Sequence, residues 1–114
     1  MIIKRGDVLL VNFEPVLGSE QGKTRPCVVI QNNVGNLSSP TTIVAAITSN
    51  TGHAYPFTVK VGKGEGNLPQ ESLIMLHQLR TISVQHRIVK KMGSLSFAAM
   101  RKVDEALKVS LALE

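Results

Sequence analysis

Thr24-Arg25-Pro26 puts a guanidinium at the junction between a polar, glycine-hinged loop and an apolar strand. The loop carries the hydroxyl of Ser19, the carboxylate of Glu20, the amide of Gln21 and the ammonium of Lys23, with Gly18 and Gly22 as hinges. The run Cys27-Val28-Val29-Ile30 that follows supplies rigidity, so Arg25 is fixed at its base. A fixed, forked guanidinium beside other donors is a way to hold a phosphate. An ordinary hydrophilic hairpin with an exposed arginine would carry the same residues, so the segment alone leaves both readings open. Thr48, at the end of a second apolar run, can donate its hydroxyl to a phosphate oxygen. His53, His77 and His86 are acid–base groups by type, but they stand isolated and none has metal-ligand spacing. No carboxylate cluster asks for Mg²⁺ or Ca²⁺, so no metal and no other cofactor is expected. Cys27, the single cysteine, allows no disulfide within the chain and predicts a buried, reduced thiol.

Strands must position these groups. Short β-branched runs predict strands at Asp7–Phe13, Arg25–Gln31, Thr41–Thr48, Phe57–Val61 and Ser72–Gln78, with shorter ones at Arg80–Ser83 and His86–Lys90. Clusters of Gly, Pro, Asn and Ser at Asn33–Pro40, Ser49–Pro56 and Gly62–Pro69 read as the connections between them. The Glu14–Thr24 connection is long for a hairpin, where about 2–5 residues is usual, and predicts a loop that a ligand orders. The period then changes. Ser96 is placed to cap a helix, and Phe97, Met100, Val103, Leu107 and Leu111 recur at helical spacing beyond it. The expected fold is mainly β, a small barrel with one C-terminal helix packed on the sheet.

With 114 residues, 43% of them hydrophobic, the chain has the size of one domain with a modest core. A formal charge of +5 favours polyanions, either nucleic acid or an acidic protein. No apolar run has the length of a signal peptide or a membrane span, so a soluble, cytoplasmic protein is expected, with no membrane partner.

Several segments carry a resemblance in order along the chain. They are Arg5-Gly6-Asp7-Val8, Pro15-Val16-Leu17-Gly18-Ser19-Glu20-Gln21-Gly22, Thr24-Arg25-Pro26 and Val28-Val29-Ile30-Gln31-Asn32, then Ser39-Pro40-Thr41, Ile43 to Ser49, Gln78-Leu79-Arg80-Thr81-Ile82, and Lys102 to Leu107. Together they resemble the MazF/PemK (Kid) toxins of bacterial toxin–antitoxin systems. The resemblance implies an SH3-like barrel of the CcdB/PemK type. It also implies a sequence-specific, ribosome-independent, metal-independent endoribonuclease acting on single-stranded RNA, messenger RNA among them. In that reaction the ribose 2′-hydroxyl attacks the adjacent phosphorus and leaves a 2′,3′-cyclic phosphate and a 5′-hydroxyl.

Arg25 and Thr48 match the family's catalytic pair. A guanidinium stays protonated and makes a poor base, so Arg25 is assigned to transition-state charge and as a candidate acid, and Glu20 is the nearest alternative acid–base group by sequence. Contacts to RNA are expected from Ser19, Gln21, Lys23, Asn32, Ser49, Gln78 and Arg80. Tyr55, in a loop, is the best placed ring for stacking a base, while Phe13, Phe57 and Phe97 read as core. His77 stands where many relatives have glutamate and reads as local tuning. The resemblance further implies a homodimer and a cognate antitoxin whose disordered, acidic C-terminal segment folds over the RNA groove. Two other readings remain: a DNA gyrase-binding toxin of the CcdB type, whose tryptophan-containing tail this chain lacks, and an inactive relative that binds only RNA or antitoxin.

Overall fold

In the computed structural model, which describes residues 1–13 and 24–114, six strands form one antiparallel sheet. They are β1 (Asp7–Asn12), β2 (Thr24–Val29), β3 (Thr41–Thr48), β4 (Thr58–Val61), β5 (Ser72–Ser83) and β6 (Ile88–Ser94), in the spatial order β4-β5-β3-β2-β1-β6. Three helices accompany them: α1 (Asn33–Ser38), α2 (Val84–Arg87) and α3 (Phe97–Leu111).

Strand alternation sends successive side chains to opposite faces. On one face Val8, Val28, Ala45 and Ile47 pack with Val59, Ile74 and Leu76 under Val103 and Ala106 of α3. On the other, Leu9, Val11, Cys27, Val29 and Val44 pack with Ile3 and Ile82, closed over by Phe13, Val84 and Ile88. Around Val28, Val29, Val44 and Ala45 both faces are therefore dry, which is why Cys27–Ile30 and Ile43–Ile47 read as unbroken apolar runs.

No ladder joins the edge strands β4 and β6 among the described residues, so the sheet curls without closing through hydrogen bonds. A 3₁₀ turn at Glu65–Asn67 occupies the gap. Asn67 Nδ2 donates to the Met92 carbonyl at 2.8 Å, and Gly66 lies so close to β6 that a Cβ on Gly93 would come within 2.8 Å of its carbonyl oxygen.

The motif Arg5-Gly6-Asp7 ties the N-terminus into this frame. Gly6 takes a positive φ of 97° and donates its N–H to the Val29 carbonyl. Arg5 donates to the Ile30 carbonyl and pairs with Asp104 of α3 at 2.9 Å. Asp7, only 3% exposed, accepts from the Lys4 N–H and the Ser94 hydroxyl and faces Lys91 at 3.3 Å.

The structure departs from the sequence expectations at several elements. Ser72–Gln78 and Arg80–Ser83 are one strand, β5, bent where Ala45 pairs with Leu79 but Ala46 pairs with Met75. Leu76, His77 and Gln78 stand between those two partners as a bulge, which sharpens twist and turns the strand. Asn33–Ser38, expected as loop, is helical, capped by the Asn32 side chain accepting from Gly35 N–H at 2.7 Å. His86 and Arg87 belong to α2 rather than to the last strand. Helix α3 is capped as expected, with Ser96 Oγ accepting from Ala99 N–H at 3.1 Å. Its buried stripe, however, is Ala99, Val103 and Ala106, and Phe97 is 79% exposed. Phe97, read as core, stands two residues before Ala99 and so on the opposite side of the helix, in line with exposed Arg101. The Glu14–Thr24 connection lies, apart from Thr24, outside the described residues. Among those residues no helix is long and apolar enough to cross a membrane.

Candidate active site

Arg25 enters the site through strand register. It pairs with Val11 of β1 on one side. On the other, β2 and β3 pair as Cys27 with Ala46, Val28 with Ala45 and Val29 with Val44. Carrying that register two residues further sets Arg25 opposite Thr48, and alternation places both on the face that carries Cys27. Pro26 biases the residue before it toward extended backbone, which fixes the base of the Arg25 side chain while its exposed head stays in water.

Arg25 and Thr48 line one open concavity of about 370 Å³. Ser49 and Ile47 continue its β3 side, and Leu68, Pro69, Gln70 and Ser72 form the opposite wall. No carboxylate lies among these described lining residues. Thr48 Oγ1 accepts from the Asn50 N–H at 3.1 Å, which leaves the hydroxyl hydrogen to donate outward. A guanidinium fork and a hydroxyl donor facing across one strand pair make a suitable cradle for a tetrahedral or trigonal-bipyramidal oxyanion.

A second cation reaches the same face. Arg80 pairs in register with Val44 and holds its guanidinium carbon 4.7 Å from the Phe13 ring centroid, within cation–π range. Burial pushes the Cys27 thiol up to about 12, and the charges of Arg25 and Arg80 pull against that shift. Both guanidinium groups thus act on one buried sulfur. That thiol is fully buried and protonated, so it is packing and not a nucleophile.

On the other side of Thr48 lies a smaller hollow of about 230 Å³, lined by Thr48, Asn50, His53, Tyr55, Met75 and His77 among others. Tyr55 stacks on Phe57, with centroids 5.1 Å apart and planes at 9°. Phe57 meets the His77 ring edge-on at 4.6 Å.

The structure brings together Arg25, Thr48 and Ser49, with Arg80 on the same face. Gln78 is exposed in the β5 bulge. Asn32 lies beyond the end of β2 away from Arg25, at the start of α1, with its side-chain oxygen committed to the α1 cap. Ser19, Glu20, Gln21 and Lys23 lie outside the described residues. His86 is in α2, where its N–H donates to the Ser83 hydroxyl. Phe57, read as core, instead supports two exposed rings. Leu68, Pro69 and Gln70 were not legible as site residues, because only the fold brings the segment after the 3₁₀ turn to Arg25. Among the described residues, no three His, Cys, Asp or Glu side chains come together in a way that would hold a metal ion.

Comparison with known proteins adds the following. Residues 4–111 match the family described as PemK-like, MazF-like toxin of type II toxin–antitoxin system. The chain is 49% identical over 114 residues to the Endoribonuclease EndoA of Bacillus subtilis (strain 168), covering 99% of this chain and 97% of that one. It is also similar to the solved structure of an endoribonuclease in complex with its cognate antitoxin from a mycobacterial species, with a TM-score of 0.82 at 20% identity over 98% of this chain and 97% of that one. A MazE–MazF structure (Form-II) from Deinococcus radiodurans gives a TM-score of 0.81 at 20% identity over 100% and 99%. At such identity the two structures show a shared fold.

Proposed function

The chain belongs to the PemK-like, MazF-like toxins of type II toxin–antitoxin systems and is an endoribonuclease, and we propose that it cuts single-stranded RNA between Arg25 and Thr48. The ribose 2′-oxygen attacks the neighbouring phosphorus, the bond to the 5′-oxygen breaks, and the strand ends in a 2′,3′-cyclic phosphate and a 5′-hydroxyl. Negative charge grows on the non-bridging oxygens as the phosphorane forms. The Arg25 fork meets it from β2 and the Thr48 hydroxyl from β3, already oriented, so little reorganisation is needed at the moment of reaction. The observation that carries this reading is that Arg25 and Thr48 line one concavity, each two residues beyond the Cys27–Ala46 pair of the β2–β3 ladder.

Glu20 is the proposed group that takes the 2′ proton or delivers one to the leaving oxygen. Ser19, Gln21, Lys23, Ser49, Gln78 and Arg80 are the proposed contacts to flanking nucleotides, with cations on phosphates and amides and hydroxyls on base edges. We assign Asn32 to helix capping rather than to RNA. The working unit is proposed to be a homodimer. The regulator is proposed to be an antitoxin whose acidic, disordered tail folds onto the basic surface, since the endoribonuclease of the mycobacterial complex binds a cognate antitoxin.

The test is to incubate wild type and Arg25→Ala with a long single-stranded RNA in EDTA and map the ends. Discrete cuts by wild type alone, with 5′-hydroxyl termini, are expected. Wild-type cleavage by Arg25→Ala would remove Arg25 from the reaction, and intact RNA in both samples would turn the reading toward a toxin that only binds.

A further inference from the structure

We propose that the groove between the outer edge of β4 and helix α3 receives an extended, acidic segment of a partner protein, which joins the sheet as a strand beside β4. The proposal does not depend on the reading of Arg25 and Thr48. The groove measures about 770 Å³, lined by Thr58 and Lys60 from the sheet and by Ala98, Arg101, Lys102 and Val109 from the helix. From Ala98 to Val109 the helix runs about 16 Å, the reach of roughly five residues of extended chain. Among the described residues β4 is the last strand of the sheet and pairs only with β5. Leu76 N–H donates to the Phe57 carbonyl at 3.1 Å, and the antiparallel register is unbroken from Thr58 to Val61. Bonded pairs alternate in such a ladder, so Val59 and Val61 turn their backbone groups to β5 while Thr58 and Lys60 turn theirs outward. The Thr58 N–H is taken by the Tyr55 carbonyl at 2.9 Å. The Thr58 carbonyl and the Lys60 N–H and carbonyl are left to bond an incoming strand.

Charge selects the kind of strand. The ion pairs among the described residues engage Arg5, Lys60, Lys91 and Lys108, and neither Arg101 nor Lys102. Both of those side chains are exposed. The one carboxylate lining the groove, Glu105, already faces Lys108 at 3.3 Å. The groove therefore presents uncompensated positive charge, which carboxylates on an incoming strand would meet. Apolar surface lies alongside: Val109 is exposed within the groove, and the exposed Phe97 stands one turn before Arg101 on α3. A second copy of the chain fits less well, because pairing two short β4 edges brings their Lys60 side chains together. Single-stranded RNA would satisfy the cations, but it has no amide ladder to exchange with the Lys60 backbone.

The probe is a capped heptapeptide alternating glutamate and valine, titrated into isotope-labelled protein and followed by amide NMR. The amides of β4 and of the Ala98–Val109 stretch should shift, and the Lys60 N–H should become protected from solvent exchange. Arg101→Gln combined with Lys102→Gln should weaken binding roughly 2- to 30-fold, the loss of two exposed ion pairs. Lys4→Gln combined with Lys90→Gln removes the same charge elsewhere and should leave binding almost unchanged. Lysine in place of glutamate in the peptide should abolish binding. Methylating alternate amides of the peptide should abolish binding in one pattern and spare it in the other, because only every second amide of an added strand meets β4. Equal losses from the two patterns would overturn the added strand. No binding, or shifts confined to the Arg25–Thr48 concavity, would overturn the groove. A 2′-O-methylated RNA that moves the same amides through Arg101 and Lys102 would give the groove to nucleic acid. Shifts that follow protein concentration alone would give it to a second copy, and either result would overturn the proposal.

Discussion

In the proposed reaction Thr48 has one task, to donate, and its surroundings favour that. The Asn50 N–H fills one of its lone pairs, which leaves the hydroxyl hydrogen free to donate to a ligand. Thr48→Val keeps the shape of the side chain and removes the donor. Single-turnover cleavage should fall by about 10²–10³, the range for losing one preorganised oxyanion donor, while the denaturation midpoint hardly moves. A rate within a few-fold of wild type would take Thr48 out of the transition state. Cys27 provides a contrast beneath the same cations. Burial pushes its thiol from 9.0 up to about 12, against the pull of Arg25 and Arg80. The unfolded chain therefore releases this proton above pH ~9 while the folded chain keeps it, so stability falls as pH climbs from ~9 toward ~12, by at most about 1.4 kcal/mol per pH unit. The slope of denaturation midpoint against pH, between pH ~8 and ~10.5, should be shallower in Cys27→Ala than in wild type. Identical slopes would mean that the thiol ionises equally in both states.

At the scale of elements, the most demanding contact is where the 3₁₀ turn meets β6. A Cβ at Gly93 would lie 2.8 Å from the Gly66 carbonyl oxygen and 3.0 Å from Asn67 Nδ2. Backbone does not yield as a flexible side chain does, so Gly93→Ala should destabilise by roughly 1–3 kcal/mol in chemical denaturation. Ser96→Ala, which removes the α3 cap, should cost about 1 kcal/mol and leave RNA cleavage intact, because α3 covers the sheet face opposite Cys27 and Arg25. The strands were legible because β-branched runs buried on both faces leave a strong signal, and Thr41–Thr48 is matched residue for residue. Helix α1 was hidden since Asn-Val-Gly-Asn-Leu-Ser buries nothing and so has no apolar period to read; it is held by the Asn32 cap and by Asn36, which bonds to Gln31 and Thr42. The β5 bulge left only a faint trace in the sequence, a polar pair, His77-Gln78, inside an apolar run. The fixed base and exposed head of Arg25 were legible from its position before a proline, whereas its meeting with Thr48 and Gln70 depends on how β2, β3 and the segment before β5 come together, which local pattern does not encode.

For the whole molecule the question is whether its +5 charge acts as a diffuse field or through particular phosphates. Each phosphate contact on a single strand contributes about −0.7 to the slope of log affinity against log salt. With Arg25, Arg80 and Lys23 on phosphates the slope should be near −2, so raising salt from ~50 to ~200 mM should weaken binding of a non-cleavable RNA roughly 20-fold. Two single-charge removals separate the alternatives. Arg80→Gln takes a cation from the face that carries Arg25 and should make the slope shallower by about 0.7. Lys108→Gln lowers the net charge equally, but Lys108 sits on α3 beside Glu105 at 3.3 Å, on the far side of the sheet, and should leave the slope alone. If both changes flatten the slope alike, the molecule attracts RNA only as a positively charged body, and Arg80 has no phosphate of its own. If only Arg80→Gln does, the strand follows a defined track past Phe13, and the cation–π contact at 4.7 Å is what holds that guanidinium in place to receive it.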